Sequence, residues 1–359
     1  MRIFGGALAG LFLFGGIVAA GPAAAGGQDA CAALAGMRDA RLDLVVTAAG
    51  RVPAAAPGSV RAQPYLPPIP VALPAHCKVH GRINDRTGAG GVRYGIGFEL
   101  ALPDDWNGRF LFQGGGGLNG SIAPPLGATG AGDVPALARG FAVVSTDSGH
   151  RGEGFDASFM QDQRAALDFA HASVGTTTQA ALLLVERYYG AAPRHAYIAG
   201  CSTGGREAML ATQRWPELFD GALVTAPAMR TGFSNLALAH ARAVFARAAP
   251  RDADGRPQLA RTFGADDKRL VLDGLLAQCD ALDGLADGVI EDALGCRFEP
   301  ARLQCPGDKR ADCLDAAQVA ALTDAFRAPR DASGAPLYVD FPYDTGIVHE
   351  GPGIPGFLP

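Results

Sequence analysis

The 359-residue chain has little charge and no strong excess of either sign. Its 31 Lys and Arg stand against 36 Asp and Glu, a net charge of −5, and charged residues make up 19% of the sequence. Without clustered Lys and Arg to replace counterions on phosphates there is no electrostatic footprint for nucleic acid, which excludes that partner. No internal repeat is visible, so neither a solenoid nor a collagen-like chain fits the 49 glycines and 25 prolines, which punctuate periodic apolar segments instead. Past the first 25 residues no stretch is long and apolar enough to span a bilayer. What is present is a composition 48% apolar, enough for one large domain or two smaller ones with a sizeable core, and seven cysteines.

Residues 2–25 hold one Arg, an apolar run from residue 3 to 20, then Gly-Pro and three alanines. That order reads as a secretory signal peptide cleaved after Ala25; a membrane anchor is the alternative, disfavoured by the short, glycine-broken run. The expected location is therefore secreted or periplasmic, with no membrane attachment after cleavage. In an oxidising compartment the cysteines are disulfide partners first. Six of them, Cys201 aside, admit 15 pairings; proximity pairs Cys279 with Cys296 and Cys305 with Cys313, leaving Cys31 with Cys77 and Cys201 without a partner.

After a proline-rich stretch (seven prolines between Pro53 and Pro74), alternation at Tyr94, Ile96, Phe98 and Leu100 predicts a half-buried strand. Shorter β-rich runs cover residues 109–113 and 141–145. Helical spacing covers 161–172 and 176–189, the latter closed by Gly190 as a C-cap. A strand at 195–199, a glycine-rich turn, a helix over 205–214 and an apolar run at 222–226 follow. Strand and helix alternate, which predicts an α/β fold around a mostly parallel sheet with flanking helices. Past Pro227 strands are hard to find, Ala-rich helices cover 236–249 and 268–277, and Cys, Asp and Pro cluster. The expected division is a signal peptide at 1–25, a core at 26–228 and an irregular helix-rich second domain at 229–359.

The sharpest local signal is Gly200-Cys201-Ser202-Thr203-Gly204, a G-x-S-x-G pattern between strand and helix. A serine on such a turn exposes its hydroxyl, and the glycines remove side chains that would collide beside it. A chance match in a glycine-rich tight turn is the bland alternative. A serine nucleophile needs a base, an orienting acid and donors for the oxyanion. The N–H of Thr203 is the expected first donor, and the run Gly114-Gly115-Gly116-Gly117 after an earlier strand is suited to supply the second. A flexible hairpin and a phosphate cradle are weaker readings of that run, since no Lys-Ser/Thr follows as a P-loop demands. Farther on, Asp280, Asp283 and Asp287 alternate with Gly284 and Gly288, a set of hard oxygens suited to calcium but not an EF-hand. A solvated acidic turn is equally compatible with the spacing alone; a disulfide between the flanking Cys279 and Cys296 would favour a closed loop.

Taken together, Gly200-Cys201-Ser202-Thr203-Gly204-Gly205-Arg206, the glycine loop after Leu111-Phe112-Gln113, Thr146-Asp147-Ser148-Gly149-His150 and Cys279-Asp280-x-x-Asp283-Gly284-x-x-Asp287-Gly288 resemble the tannase and feruloyl esterase family of secreted α/β-hydrolases, from about Cys31 to about Cys313. The resemblance implies a hydrolase core interrupted by a lid at 229–359. It implies Ser202 as nucleophile, with Thr203 and Gly116 or Gly117 as oxyanion donors, and a structural calcium ion bound by Asp280, Asp283 and Asp287 with the carbonyls of Leu285 and Val289. The implied substrates are small-molecule esters of aromatic acids, feruloyl or galloyl in type. It also implies a disulfide from the cysteine before the serine to one directly after the catalytic histidine. The only His-Cys dipeptide is His76-Cys77, ahead of the core. The other histidines are poor substitutes, His150 lying in a glycine turn. The expectation is that the C-terminal part of the core, with the catalytic Asp and His, lies beyond Pro359. A catalytically inactive, calcium-stabilised fragment or binding protein is the alternative.

Overall fold

The computed structural model describes residues 28–63, 66–127, 134–349 and 357–359, so the expected signal peptide lies outside the described residues. The chain divides into two compact units, residues 1–228 and 229–359.

The first unit opens with a short helix α1 (Gln28–Ala33), tied by the Cys31–Cys77 disulfide to the sheet that follows. Strands β1 (Arg38–Asp39), β2 (Leu44–Val52), β3 (His76–Thr87), β4 (Arg93–Pro103), β5 (Arg109–Gln113) and β6 (Ala142–Thr146) lead to a long helical passage. That passage is α2 (Gln163–Leu167), a π-helical turn over Asp168–Ala172, and α3 (Ser173–Tyr189). Gly190 ends it at φ 72°, the left-handed C-cap the sequence predicts. Strand β7 (His195–Ser202), helix α4 (Thr203–Arg214) and strand β8 (Gly221–Pro227) complete the unit.

The eight strands form one sheet in the order β1-β2-β3-β4-β6-β5-β7-β8. Its first half is antiparallel through the β4–β6 pair, whereas β6, β5, β7 and β8 run parallel. Period-2 alternation sends Phe98, Phe110, Phe112, Val144 and Ile198 to one face, packed on Val174, Leu184 and Val185 of α3. Ala101, Leu111, Val143 and Ala199 point to the other, beneath Leu126 and Leu137. Strand β4 is thus buried on both faces and not half-buried, because its second face is lined by Gly95, Gly97 and Ala101, residues too small to register as an apolar pattern.

The second unit contains α5 (Thr231–Ala248), α6 (Ala265–Cys279) and α7 (Ala316–Ala325), the last begun by a reciprocal cap between Asp315 and Gln318. Phe245, Phe263, Val271, Leu275, Leu314, Leu322 and Phe326 form its core. Disulfides Cys279–Cys296 and Cys305–Cys313 staple the segments between helices. Cys201 is free and exposed.

Candidate active site

The C-terminal end of β7 turns directly into α4, and Ser202 is the turning residue. Its backbone stands at φ 58°, ψ −119°, a region side-chain-bearing residues rarely adopt, and the residue is exposed. The register of β7 on β8 shifts between Cys201 and Ser202, so the strand ends in an irregularity at the serine. The turn closes only because its glycines are bare. A Cβ on Gly200 would lie 2.2 Å from the Gly204 carbonyl carbon, and one on Gly204 would lie 2.8 Å from the Gly114 backbone.

The glycine loop after β5 lies against the start of α4. Gly114 N–H donates to the Ala199 carbonyl (2.8 Å), Gly204 N–H to the Gly115 carbonyl (2.9 Å), and the Thr203 hydroxyl to the Gly117 carbonyl (2.5 Å). Gly115 N–H donates to Glu207 Oε2 at 2.8 Å, and Leu118 N–H to the Gly154 carbonyl at 2.6 Å. Among the described residues the N–H groups of Gly116 and Gly117 have no acceptor. The Thr203 N–H, first in its helix, has no intrahelical acceptor either. These three donors belong to two segments that meet at the start of α4, and free main-chain N–H groups are what a developing oxyanion needs. No side chain among the described residues hydrogen-bonds the Ser202 hydroxyl.

The segment after β6 packs behind this loop. Asp147 Oδ1 accepts N–H groups from Gly97 (2.8 Å) and Gly149 (3.0 Å), yet burial raises its pKa to about 7. His150 is stacked on Phe159 (ring centroids 3.6 Å apart), and burial lowers its pKa to about 4, so the ring is neutral near pH 7. Among the described residues neither of its ring nitrogens has a partner in good hydrogen-bond geometry. Asp168, in the π-helical turn, is pushed up to about 6 by burial. Arg206 lies over the Phe169 ring and donates to the carbonyls of Phe169 (3.2 Å) and Ala170 (3.1 Å) in the same turn. Sequence reasoning missed Glu207, fully buried and joined to Ser148 and Gly115; the one signal was a charged residue five positions after the serine, on the helix that the serine begins.

In the second unit the acidic segment forms a single 3₁₀ turn (Asp280–Asp283) and a loop with Gly284 and Gly288 at positive φ. Asp280 accepts N–H from Gly288 (3.0 Å), Asp283 from Leu285 (2.9 Å) and Glu291 (3.0 Å), and Asp287 from Val289 (3.1 Å). The donor chemistry suits a hard cation. The arrangement does not form a cage, however: among the described residues no group of three or more His, Cys, Asp or Glu is gathered to hold a metal. The side chains of the expected Asp280, Asp283 and Asp287 ligands close the loop on itself instead.

Among the described residues no helix is long and apolar enough to cross a membrane. Comparison with known proteins agrees with the motifs. The mono(2-hydroxyethyl) terephthalate hydrolase of Piscinibacter sakaiensis is 40% identical over 296 residues, covering 77% of this chain and 49% of that protein. A probable feruloyl esterase B-2 of Aspergillus flavus is 34% identical over 235 residues, covering 65% of this chain and 42% of the relative. The chain spans about half the length of the curated relatives it matches. Among solved structures, feruloyl esterase B from Aspergillus oryzae superposes with a TM-score of 0.68 at 30% identity over 87% of this chain and 58% of that one, which establishes the α/β-hydrolase fold. A sequence model described as tannase and feruloyl esterase matches residues 77–354, and with it the conclusion follows that this chain belongs to the tannase and feruloyl esterase family.

Proposed function

We propose that the chain carries the nucleophile and oxyanion donors of a serine carboxylic-ester hydrolase that acts on small-molecule esters of aromatic acids, feruloyl or galloyl in type. The observation that carries this reading is Ser202 itself, exposed at a left-handed strand-to-helix turn at the start of α4, where the segments bearing these three main-chain N–H groups meet. In the first half-reaction Ser202 Oγ bonds to the ester carbonyl carbon. The carbonyl oxygen takes the negative charge, which the Thr203 and Gly116 or Gly117 amides are suited to receive; when the carbonyl re-forms, the ester C–O bond breaks and the alcohol departs with the proton given up by the Ser202 hydroxyl. Water then attacks the acyl-serine, releasing the acid and returning the hydroxyl.

The unpartnered Ser202 hydroxyl favours a second reading, a catalytically silent binding protein on the same fold. A fluorophosphonate probe and feruloyl or galloyl esters separate the two. Robust labelling and a burst of alcohol release, with Ser202→Ala lowering turnover by at least about a thousandfold, support the hydrolase. Unchanged turnover in Ser202→Ala overturns the mechanism. Export to a secreted or periplasmic location fits residues 1–25 and the three disulfides. Calcium at Asp280, Asp283 and Asp287, with the carbonyls of Leu285 and Val289, rests on donor chemistry alone, and no step of the reaction runs through it.

A further inference from the structure

Glu207 is an expensive residue to place where it stands. Its side chain is 1% exposed and burial pushes its carboxyl above the usual carboxylate range. The adjacent Arg206 directs its guanidinium to the carbonyls of Phe169 and Ala170, and among the described residues no cation is bonded to the carboxyl. Two loop groups meet it instead, and a third braces one of them. Oε2 accepts the Gly115 N–H (2.8 Å), Oε1 accepts the Ser148 hydroxyl (3.2 Å), and Asn119 Nδ2 donates to that hydroxyl (2.5 Å). Asn119 and Ser148 both hold positive φ, 52° and 62°, so two strained turns are directed at one carboxyl.

Gly115 is gripped from α4 on both sides of its Cα. Its N–H goes to Glu207 and its carbonyl receives the Gly204 N–H at 2.9 Å. The next two residues are Gly116 and Gly117, whose amides have no acceptor among the described residues, and Gly117 is held in turn through its carbonyl by Thr203. The helix that begins after Ser202 therefore carries the first oxyanion donor and the clamp on the second. We propose that Glu207 is a positioning residue of the acyl-transfer site, fixing the Gly116 and Gly117 amides against the Thr203 N–H by holding Gly115. This inference rests on the assignment of Ser202 as the nucleophile. A bare glycine run would otherwise sample many shapes, and preorganised donors are what an oxyanion site needs.

The test uses the whole 359-residue chain as wild type, Glu207→Leu, Glu207→Asp and Glu207→Gln, with residue-resolved amide hydrogen exchange and the rate of fluorophosphonate labelling at Ser202. In Glu207→Leu, which has no acceptor, and Glu207→Asp, which is too short to reach, exchange at Gly115 should accelerate by about tenfold or more. Exchange at Tyr197 and Ile198 in β7 should keep its wild-type rate. Glu207→Gln keeps an acceptor and should restore both slow exchange at Gly115 and labelling, which general destabilisation would not predict. Wild-type exchange at Gly115 in the Asp variant, or a Gln variant as fast as Leu, overturns the clamp. Should Leu fail to fold, the Asp and Gln pair decides alone. Labelling of wild type at a residue other than Ser202 instead strikes the nucleophile assignment, and with it the catalytic meaning of the clamp, while the exchange data still report whether the clamp exists.

Discussion

Residues 28–228 bury their core by layering, and residues 229–349 by stapling. In the first unit one sheet presents aromatic and β-branched side chains to two faces, and a single disulfide joins its edge helix to β3. In the second, three helices of modest length share a core with irregular segments, and two disulfides fall within 35 residues of sequence. The lesson is that the strained turn at Ser202, the proposed nucleophile, sits on the unit whose backbone is fixed by ladder hydrogen bonds, where such a conformation can be imposed from both sides.

The largest expected effect separates the two units by reduction. On loop entropy, losing Cys279–Cys296 and Cys305–Cys313, with separations of 17 and 8 residues, costs about 3 and about 2.5 kcal/mol within one unit, against about 4 for Cys31–Cys77 with its separation of 46. Limited proteolysis during thermal scans with and without a thiol reductant should show residues 229–349 opening first; equal shifts in both units would break the contrast.

Protonation of the sheet unit should give the next effect. Burial holds the Asp147 pKa at about 7 in the folded state, above the 3.8 of a free carboxyl, so between these values the native state keeps a proton that the unfolded chain has released. Stability from this group is therefore present at low pH and lost as pH rises from about 4 through about 7, at up to about 1.4 kcal/mol per unit. His150 acts oppositely, its stabilisation being lost as pH falls from 6.5 toward about 4. Asp147→Asn, shaped like the protonated acid, should flatten the decline above pH 5 in chemical-denaturation curves; an unchanged slope would show that the carboxyl is charged.

The smallest effect concerns the acidic loop. If calcium binds there, adding it at a hundred times its dissociation constant stabilises the second unit by about 2.7 kcal/mol, and a chelator removes that gain. A melting temperature indifferent to both leaves the loop as the self-closed turn its Asp280–Gly288 and Asp283–Glu291 hydrogen bonds already describe.

What the sequence made legible was local. The strand-to-helix turn at Ser202, the Gly190 cap and the pairing of nearby cysteines all depend on residues close to one another in the sequence. Strand β3 escaped notice although Cys77, Val79 and Ile83 alternate with Lys78, His80 and Arg82, because Gly81 leaves a gap in the apolar face; β2 escaped because only Leu44 and Val46 of its nine residues are buried, and the pairing of the two is remote. The helices of the second unit proved longer than their Ala-rich centres, and α7 depends on a cap that composition does not display. Glu207 was invisible for a stronger reason: its partners, Gly115 and Ser148, lie 92 and 59 residues away, and only the fold brings them together.

The backbone at Ser202 carries a last consequence. A side-chain-bearing residue held at φ 58°, ψ −119° costs on the order of 1–3 kcal/mol, which glycine would not incur. This protein should therefore be sturdier without its proposed nucleophile: Ser202→Gly ought to melt above the native sequence, and Ser202→Ala should not. Selection for thermostability alone would erode the residue on which the proposed chemistry depends.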